Sequence, residues 1–285
     1  ELIFLYFAVV GDYSVEEYYL GDGVMRRSLA ESDIGGVAAL VELSRNCTGI
    51  STTVQNVISN LPENWIVQIF HGRNNGEYIK GLKVIERLHR SGKLFFSLVD
   101  WNESGNTLGS NDGRSPYNKL LTGRKFWSSM KSENILMFQT DTRLCSNSKQ
   151  KIENFLMYDY VGAPWRPEHA LSLLNFQQLR VGNGGLSFRK RTAMLAVIEN
   201  RDIIKVALRN NKTPAFLAQA EDIFFIFGLY WLNNNFSWQY KFSVPGIDVA
   251  SNFSVEWASQ EFTIFNNGDV FGVHQLPGGL QNLVE

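Results

Sequence analysis

Val37-Ala38-Ala39-Leu40-Val41-Glu42-Leu43 is followed, across a polar turn, by Ser51-Thr52-Thr53-Val54-Gln55-Asn56-Val57-Ile58-Ser59-Asn60-Leu61-Pro62, and then by Trp65-Ile66-Val67-Gln68-Ile69-Phe70. The outer two runs are almost continuously apolar, as strands covered on both faces are. The middle run sets Val54, Val57, Ile58 and Leu61 at i, i+3, i+4 and i+7, one stripe of a helix that Ser51 or Thr52 can cap. It stops at Leu61, because a residue before proline avoids the helical region. Strand, helix and strand of this chemistry form a βαβ unit, the building block of a parallel sheet.

The rhythm continues outward. After the turn-like His71-Gly72, Tyr78, Leu82, Ile85 and Leu88 share one helical face, and Lys93-Leu94-Phe95-Phe96-Ser97-Leu98-Val99 is a third buried strand. A long polar stretch, 102–115, has the length and composition of a lid. A helix from Pro116 and a fourth strand, Ile135-Leu136-Met137-Phe138, complete the nucleotide-binding type of half-fold. The second half differs in texture: Tyr160 to Trp165, a Gly-rich turn at 182–185, a helix near 191–199, an apolar helix from Ala220 to about Leu232, and an end rich in Asn, Gly and aromatics. With no linker and no repeat, the expected organisation is an irregular extension over 1–36 and one α/β domain over 37–285. Its sheet is Rossmann-like, mostly parallel and flanked by helices, with a nucleotide-binding half at 37–142 and an acceptor half at 143–285.

Composition fits a globular chain. Of 285 residues 44% are hydrophobic and 19% charged, enough apolar material for a large core. Lys and Arg (27) nearly balance Asp and Glu (28), so no global field draws the protein onto nucleic acid. The longest apolar run, Leu2 to Val10, is too short to span a bilayer, and it lacks the basic flank and cleavage site of a signal peptide. The first residue is Glu, as expected of a piece of a longer chain. Cys47 and Cys145 are too few for a disulfide framework or a structural zinc site. Sequons at Asn46, Asn102, Asn235 and Asn252 would suit a secretory lumen, whereas the cysteine usage and lack of a leader lean toward the cytoplasm.

Ligands of open parallel sheets collect beyond the carboxyl ends of the strands. Asp141 follows the fourth strand there, where a carboxylate can hold a divalent ion, although an Asp in that place also caps turns. Gly182-Asn183-Gly184-Gly185 lets backbone approach a ligand closely; Asn-Gly is equally the signature of a hairpin turn. Glu221 and Asp222 open the apolar helix, either compensating its dipole or offering a general base in partly apolar surroundings. His274 follows the apolar run Val270-Phe271-Gly272-Val273, as a ligand or as a structural residue. Most tryptophans belong to the core; Trp165, in Gly-Ala-Pro-Trp, sits where a Pro-ordered loop could present it to a sugar face.

In order along the chain, Phe138-Gln139-Thr140-Asp141-Thr142 with Leu144-Cys145-Ser146, Tyr158 to Trp165, Val181 to Arg189, Glu221-Asp222, Phe253-Ser254-Val255-Glu256 and Phe271-Gly272-Val273-His274 resemble a family of poorly characterised proteins of microbes, fungi, algae and large viruses. Its members look like glycosyltransferases of the GT-A type. Asn60 to Trp65 and Gln68-Ile69-Phe70-His71-Gly72 fit the same pattern, so the resemblance spans roughly 37–276. It implies transfer of a sugar from a nucleotide donor, such as a UDP- or GDP-sugar, to a glycan or other hydroxyl acceptor, with inversion and assistance from Mn²⁺ or Mg²⁺. Asp141 would be the surviving acid of an Asp-x-Asp metal motif and His274 the carboxyl-terminal ligand. Asp222, with Glu221 beside it, would supply the base. Glu42, Arg45 and His71 would line the nucleotide, Asn183, Gly184 and Gly185 would lie where donor and acceptor meet, and Trp165 would face the acceptor. The motif departs from the family in reading Gln139-Thr140-Asp141, with one acid only. Two alternatives stand beside this reading: a nucleotidyltransferase-like nucleotide-sugar enzyme, and a non-catalytic carbohydrate-binding module.

Overall fold

A computed structural model describes residues 34–47, 49–99, 116–165, 181–210, 220–236, 241–256 and 269–275. Most of the expected 1–36 extension and the polar stretch 102–115 lie outside the described residues, as do Trp101, Trp238 and Trp257. Strands β1 (Gly36–Glu42), β2 (Trp65–His71), β3 (Leu94–Leu98) and β4 (Asn134–Phe138) are the four expected runs, with bounds shifted by at most one residue. They pair in parallel, and between them run α1 (Ile50–Ser59), α2 (Gly76–Lys80), α3 (Lys83–Arg90), α4 (Pro116–Leu121) and α5 (Arg124–Ser128). Helix α1 begins just ahead of the expected Ser51, with Gly49 as its cap residue and no side-chain cap bond.

After β4 come β5 (Arg143–Leu144), β6 (Tyr160–Pro164), β7 (Val181–Lys190), α6 (Arg191–Glu199), α7 (Arg201–Asn210), α8 (Glu221–Asn235), α9 (Ile247–Phe253), β8 (Ser254–Glu256) and β9 (Gly272–His274). The main sheet has the order β3-β2-β1-β4-β7-β6, and β7 runs antiparallel to both neighbours. A small second sheet, β5-β9-β8, carries the chain end back to the turn after β4. The fold is therefore α/β, a mainly parallel six-stranded sheet flanked by helices.

Alternation along each strand splits the core into two layers. Val37, Ala39, Val41, Ile135 and Met137 pack on one side with Trp127 of α5, Val197 of α6 and the apolar body of α8. Ala38, Leu40, Val67, Ile69, Leu136 and Phe138 pack on the other with α1, Phe155, Phe253 and Phe271. Because α8 is apolar on every side it lies inside the molecule, with Ile223 to Leu229 all buried.

Two expectations change. Tyr78 to Leu88 does not form one helix: Gly81 ends α2, and Leu82, in extended conformation, starts α3. Residues 182–185 are no turn but the interior of the ten-residue β7. Gly182 there has φ +129°, a conformation only glycine takes readily, and a Cβ on it would lie 2.4 Å from Ile226. Register shifts beside Gly162 and Ala163 of β6 bulge the pairing at the same level. The glycines thus bend and thin a strand that keeps its direction.

Candidate active site

The carboxyl ends of β1, β2 and β4 open on one edge of the sheet, and the candidate residues gather around it. Glu42 and His71 are register partners at the ends of β1 and β2. The Glu42 carboxylate is buried and holds the Arg45 side chain through Nε at 3.0 Å and Nη2 at 2.7 Å, leaving the rest of the guanidinium exposed. The link between the two strand exits is made by the buried Asn75, which the sequence reading passed over. Its side chain accepts from the Gly72 N–H (3.0 Å) and donates to the carbonyls of Glu42 (2.9 Å) and Arg45 (3.3 Å), fastening the β1 exit to the β2 exit. Gly72 is required there, since a Cβ would fall 2.0 Å from the Leu43 carbonyl.

The turn after β4 is closed by Thr142, whose hydroxyl accepts from the Gln139 N–H at 3.2 Å. It is fixed to α1 by Thr53, which donates to the Thr140 carbonyl at 2.7 Å, and by Asn56, which bonds both backbone groups of Leu144. Asp141 is thereby held facing His274, with Oδ1 3.4 Å from Nε2. The parallel register of β8 and β9 sets Glu256 beside His274, and Glu256 Oε1 lies 2.8 Å from Nδ1. Gln139 Oε1 is 3.1 Å from Nε2, and the Gln139 amide nitrogen points to the Tyr117 hydroxyl at 3.5 Å. The residues on both sides of His274 that matter most, Glu256 and Gln139, had no role assigned from sequence.

Burial alone would lower the His274 pKa, but the carboxylates of Asp141 and Glu256 beside it outweigh that and raise it to about 9. Burial would likewise raise Asp141, yet His274 and then Arg45 bring it below the ordinary carboxylate value. With Nδ1–H donated to Glu256, three lone-pair donors converge: His274 Nε2, Gln139 Oε1 and Asp141 Oδ1, the last buried with no hydrogen-bond donor of its own. Such a set is mutually repulsive unless a proton or a cation lies among them; the raised His274 pKa corresponds to the proton, in whose place a hard divalent ion would fit. Among the described residues no three His, Cys, Asp or Glu side chains form a metal cage. The amide of Gln139 stands where a second acid is absent.

The acid pair lies on the other side of the β7 glycines. Glu221 is buried and bonded at both oxygens by Arg189, at 2.5 and 3.0 Å. Asp222 is half-buried; its Oδ1 accepts from the Ile223 N–H at 2.8 Å and its Oδ2 from the Gly184 N–H at 3.3 Å. The backbone amides therefore hold Asp222, and a guanidinium holds Glu221. Burial, reinforced by the Glu221 charge, raises the Asp222 pKa to about 7. Gly184 backs onto this pair, where a Cβ would meet Glu221 Oε1 at 2.3 Å, and Gly185 backs onto the imidazole, where a Cβ would meet His274 Cε1 at 1.9 Å. Asn183 bends over the strip, its Oδ1 accepting from the Gly185 N–H at 3.0 Å.

One other expectation, the display of Trp165, resolves differently. Trp165 is buried in the core layer of α8, its ring edge beside Gly182, rather than displayed on an open surface. Cys47 and Cys145 are both free. No helix among the described residues is long and apolar enough to cross a membrane.

A family model described as "Protein of unknown function (DUF5672)" matches residues 107–274, a span holding Asp141, Asn183, the Glu221-Asp222 pair and His274. Glu42, Arg45 and His71 precede it. No curated protein matches the sequence. Among solved structures the chain is similar to the galactosyltransferase LgtC in complex with donor and acceptor sugar analogs, at 10% identity and TM-score 0.52 over 85% of this chain and 87% of that one. It is similar also to the apo form of the bifunctional glycosyltransferase WbbM, at 9% identity and TM-score 0.52 over 86% of this chain and 46% of that one. An active-site mutant of LgtC gives 12% identity and TM-score 0.51 over 85% and 88%. What is shared at such identities is the fold, that of the GT-A glycosyltransferases.

Proposed function

The chain belongs to the family described as "Protein of unknown function (DUF5672)", and from that premise we propose that it transfers a sugar from a nucleotide-sugar donor to a hydroxyl acceptor with inversion at the anomeric carbon. One observation carries the reading. Consecutive glycines of a single strand back onto two different chemistries, Gly184 onto Asp222 and Gly185 onto His274. Consecutive Cα atoms are only about 3.8 Å apart, so a base and an anion-neutralising corner flank one thin stretch of backbone. The pairing of β4 with β7 ends at Phe138 and Leu186, and a donor sugar set against the edge of the glycines beyond it would have its diphosphate toward one side and its anomeric carbon toward the other.

In this mechanism the nucleotide lies over the ends of β1 and β2, in the half of the chain before residue 142, beside Glu42, Arg45 and His71. Glu42 orients Arg45 and takes no part in binding itself, because both its oxygens are turned to that guanidinium. Arg45 provides positive charge for the diphosphate. Asp141, His274 and Gln139 would hold Mn²⁺ or Mg²⁺, which when bound stabilises charge on the departing diphosphate. Asp222 accepts the proton of the acceptor hydroxyl as its oxygen attacks the face opposite the diphosphate. The Gly184 N–H aims the carboxylate during that transfer.

The test is binding of nucleoside diphosphates with and without Mn²⁺ by calorimetry, followed by a panel of nucleotide sugars assayed for donor hydrolysis and transfer. Diphosphate binding strengthened by the ion, with turnover of at least one donor, is the expected result. Preference for triphosphates would instead indicate a nucleotidyltransferase, and no nucleotide binding would indicate a carbohydrate-binding module; either outcome overturns the proposal.

A further inference from the structure

Arg189 has no place in the chemistry above, yet it is the most completely enclosed charge among the described residues. Its side chain has 0% exposure and lies among the rings of Tyr160 (4.7 Å), Trp127 and Phe225 (both 5.7 Å). A cation so placed needs every N–H directed, and the partners are specific. Nη1 and Nη2 donate to the two oxygens of Glu221. Nη2 also reaches the Gly184 carbonyl at 3.4 Å, and Nε donates to Ser187 Oγ at 2.9 Å, whose hydroxyl donates in turn to the same carbonyl at 3.2 Å.

Both arms end on Asp222. Along α8, fixing Glu221 fixes the next residue. Along β7, two donors on the Gly184 carbonyl fix the peptide on one side of that Cα, and the N–H on its other side is turned to Asp222 Oδ2. We propose that Arg189 is the positioning residue of the site, holding Asp222 through Glu221 on the helix and through Gly184 on the strand. This goes beyond packing: an apolar residue of similar volume could fill the space, but it could direct neither Glu221 nor the Gly184 peptide. The inference rests on the reading of Asp222 as the base.

The ionisable groups facing Asp222 come from four elements: Glu221 of α8, Arg189 of β7, Tyr160 of β6 and Tyr117 of α4. Burial raises both tyrosines, keeping them neutral, so Glu221 and Arg189 are the pair that sets the field at Asp222. Losing the Glu221 charge removes a repulsion and leaves the Arg189 attraction unopposed.

The experiment is a ¹³C-carboxyl NMR titration of protein labelled at aspartate, with Asp222→Asn identifying the signal, read together with the Gly184 amide. In the wild type the Gly184 amide should follow the Asp222 titration. Glu221→Gln should move the Asp222 midpoint down by about one pH unit. Arg189→Met with Glu221→Gln removes the pair without leaving a lone buried charge, and the Gly184 amide should then cease to follow Asp222. If that double variant fails to fold, Arg189→Lys gives the same readout, since an ammonium cannot serve Glu221 and Gly184 in one planar fork. An unmoved midpoint in Glu221→Gln, or continued tracking by Gly184 in the Arg189 variants, overturns the proposal. None of these readouts needs a substrate. Transfer absent with every donor alongside the expected titrations would defeat the enzymatic reading alone, and transfer present with unmoved titrations would defeat this inference alone.

Discussion

Asp222 and Glu221 are neighbours with the same functional group, and what separates them is the partner each one holds. Glu221 has both oxygens engaged by a guanidinium in a buried ion pair. Among the described residues Asp222 accepts only from backbone N–H groups, and burial next to Glu221 brings it to about pH 7. A base must be ionised to act, so transfer should rise with pH to a plateau above about 7. Asp222→Asn should remove that limb and lower turnover by about 10²–10⁴-fold while nucleotide affinity stays near wild type. A pH profile unchanged in shape in this variant would assign the limb to another group. At the opposite corner Glu256 touches the far side of the His274 ring. Its replacement by Gln keeps a hydrogen bond but loses the charge that makes the imidazole a better ligand. Mn²⁺-dependent binding of nucleoside diphosphate should weaken by about 10–100-fold, and Asp141→Asn should abolish the Mn²⁺ dependence itself; calorimetry with and without the ion distinguishes the two.

Strand β7 shows how far the sequence could be read and where reading stops. The parallel strands were legible because each buries both faces, so burial writes a continuous apolar run with polar turns around it. Val181 to Lys190 was not, because Asn-Gly within a short run normally reverses a chain. Here the glycines answer a different demand, which is room for side chains from elements far away in sequence: Ile226 at Gly182, Glu221 at Gly184 and His274 at Gly185. Glu256 and Gln139 were unreadable as partners of His274 for the same reason, since register between separate segments creates those contacts. Asp141 and His274 could be paired beforehand because the resemblance carried both. Gly185→Ala should therefore displace the imidazole and cost Mn²⁺-dependent nucleotide binding. Gly228→Ala, whose Cβ would lie 2.4 Å from Val197 where α8 meets α6, is the control at the same kind of contact away from the site. It should lose about 1–3 kcal/mol of stability in denaturant unfolding and retain nucleotide affinity. Equal loss of affinity in both variants would count against the glycine strip having a local role.

The whole molecule places its least comfortable carboxylate at the start of its most apolar helix, and the fold bears the consequence. Asp222 has a folded pKa of about 7 against about 3.9 in an unfolded chain, so the native state holds this proton more tightly. Its contribution to stability is present below about pH 4 and is lost as pH rises through about 7. Partial exposure reduces the size of the effect, leaving about 2–4 kcal/mol across that window. The pH at which the base works is thus the pH at which it opposes folding most, a cost that function rather than packing explains. Asparagine at 222 stays neutral throughout and keeps the volume. Melting curves of Asp222→Asn and wild type should therefore lie close together at pH 4 and separate by several degrees at pH 8, the inactive variant being the more stable. A difference in melting temperature that is the same at both pH values would mean that Asp222 titrates normally, and the assignment of the general base would fall with it.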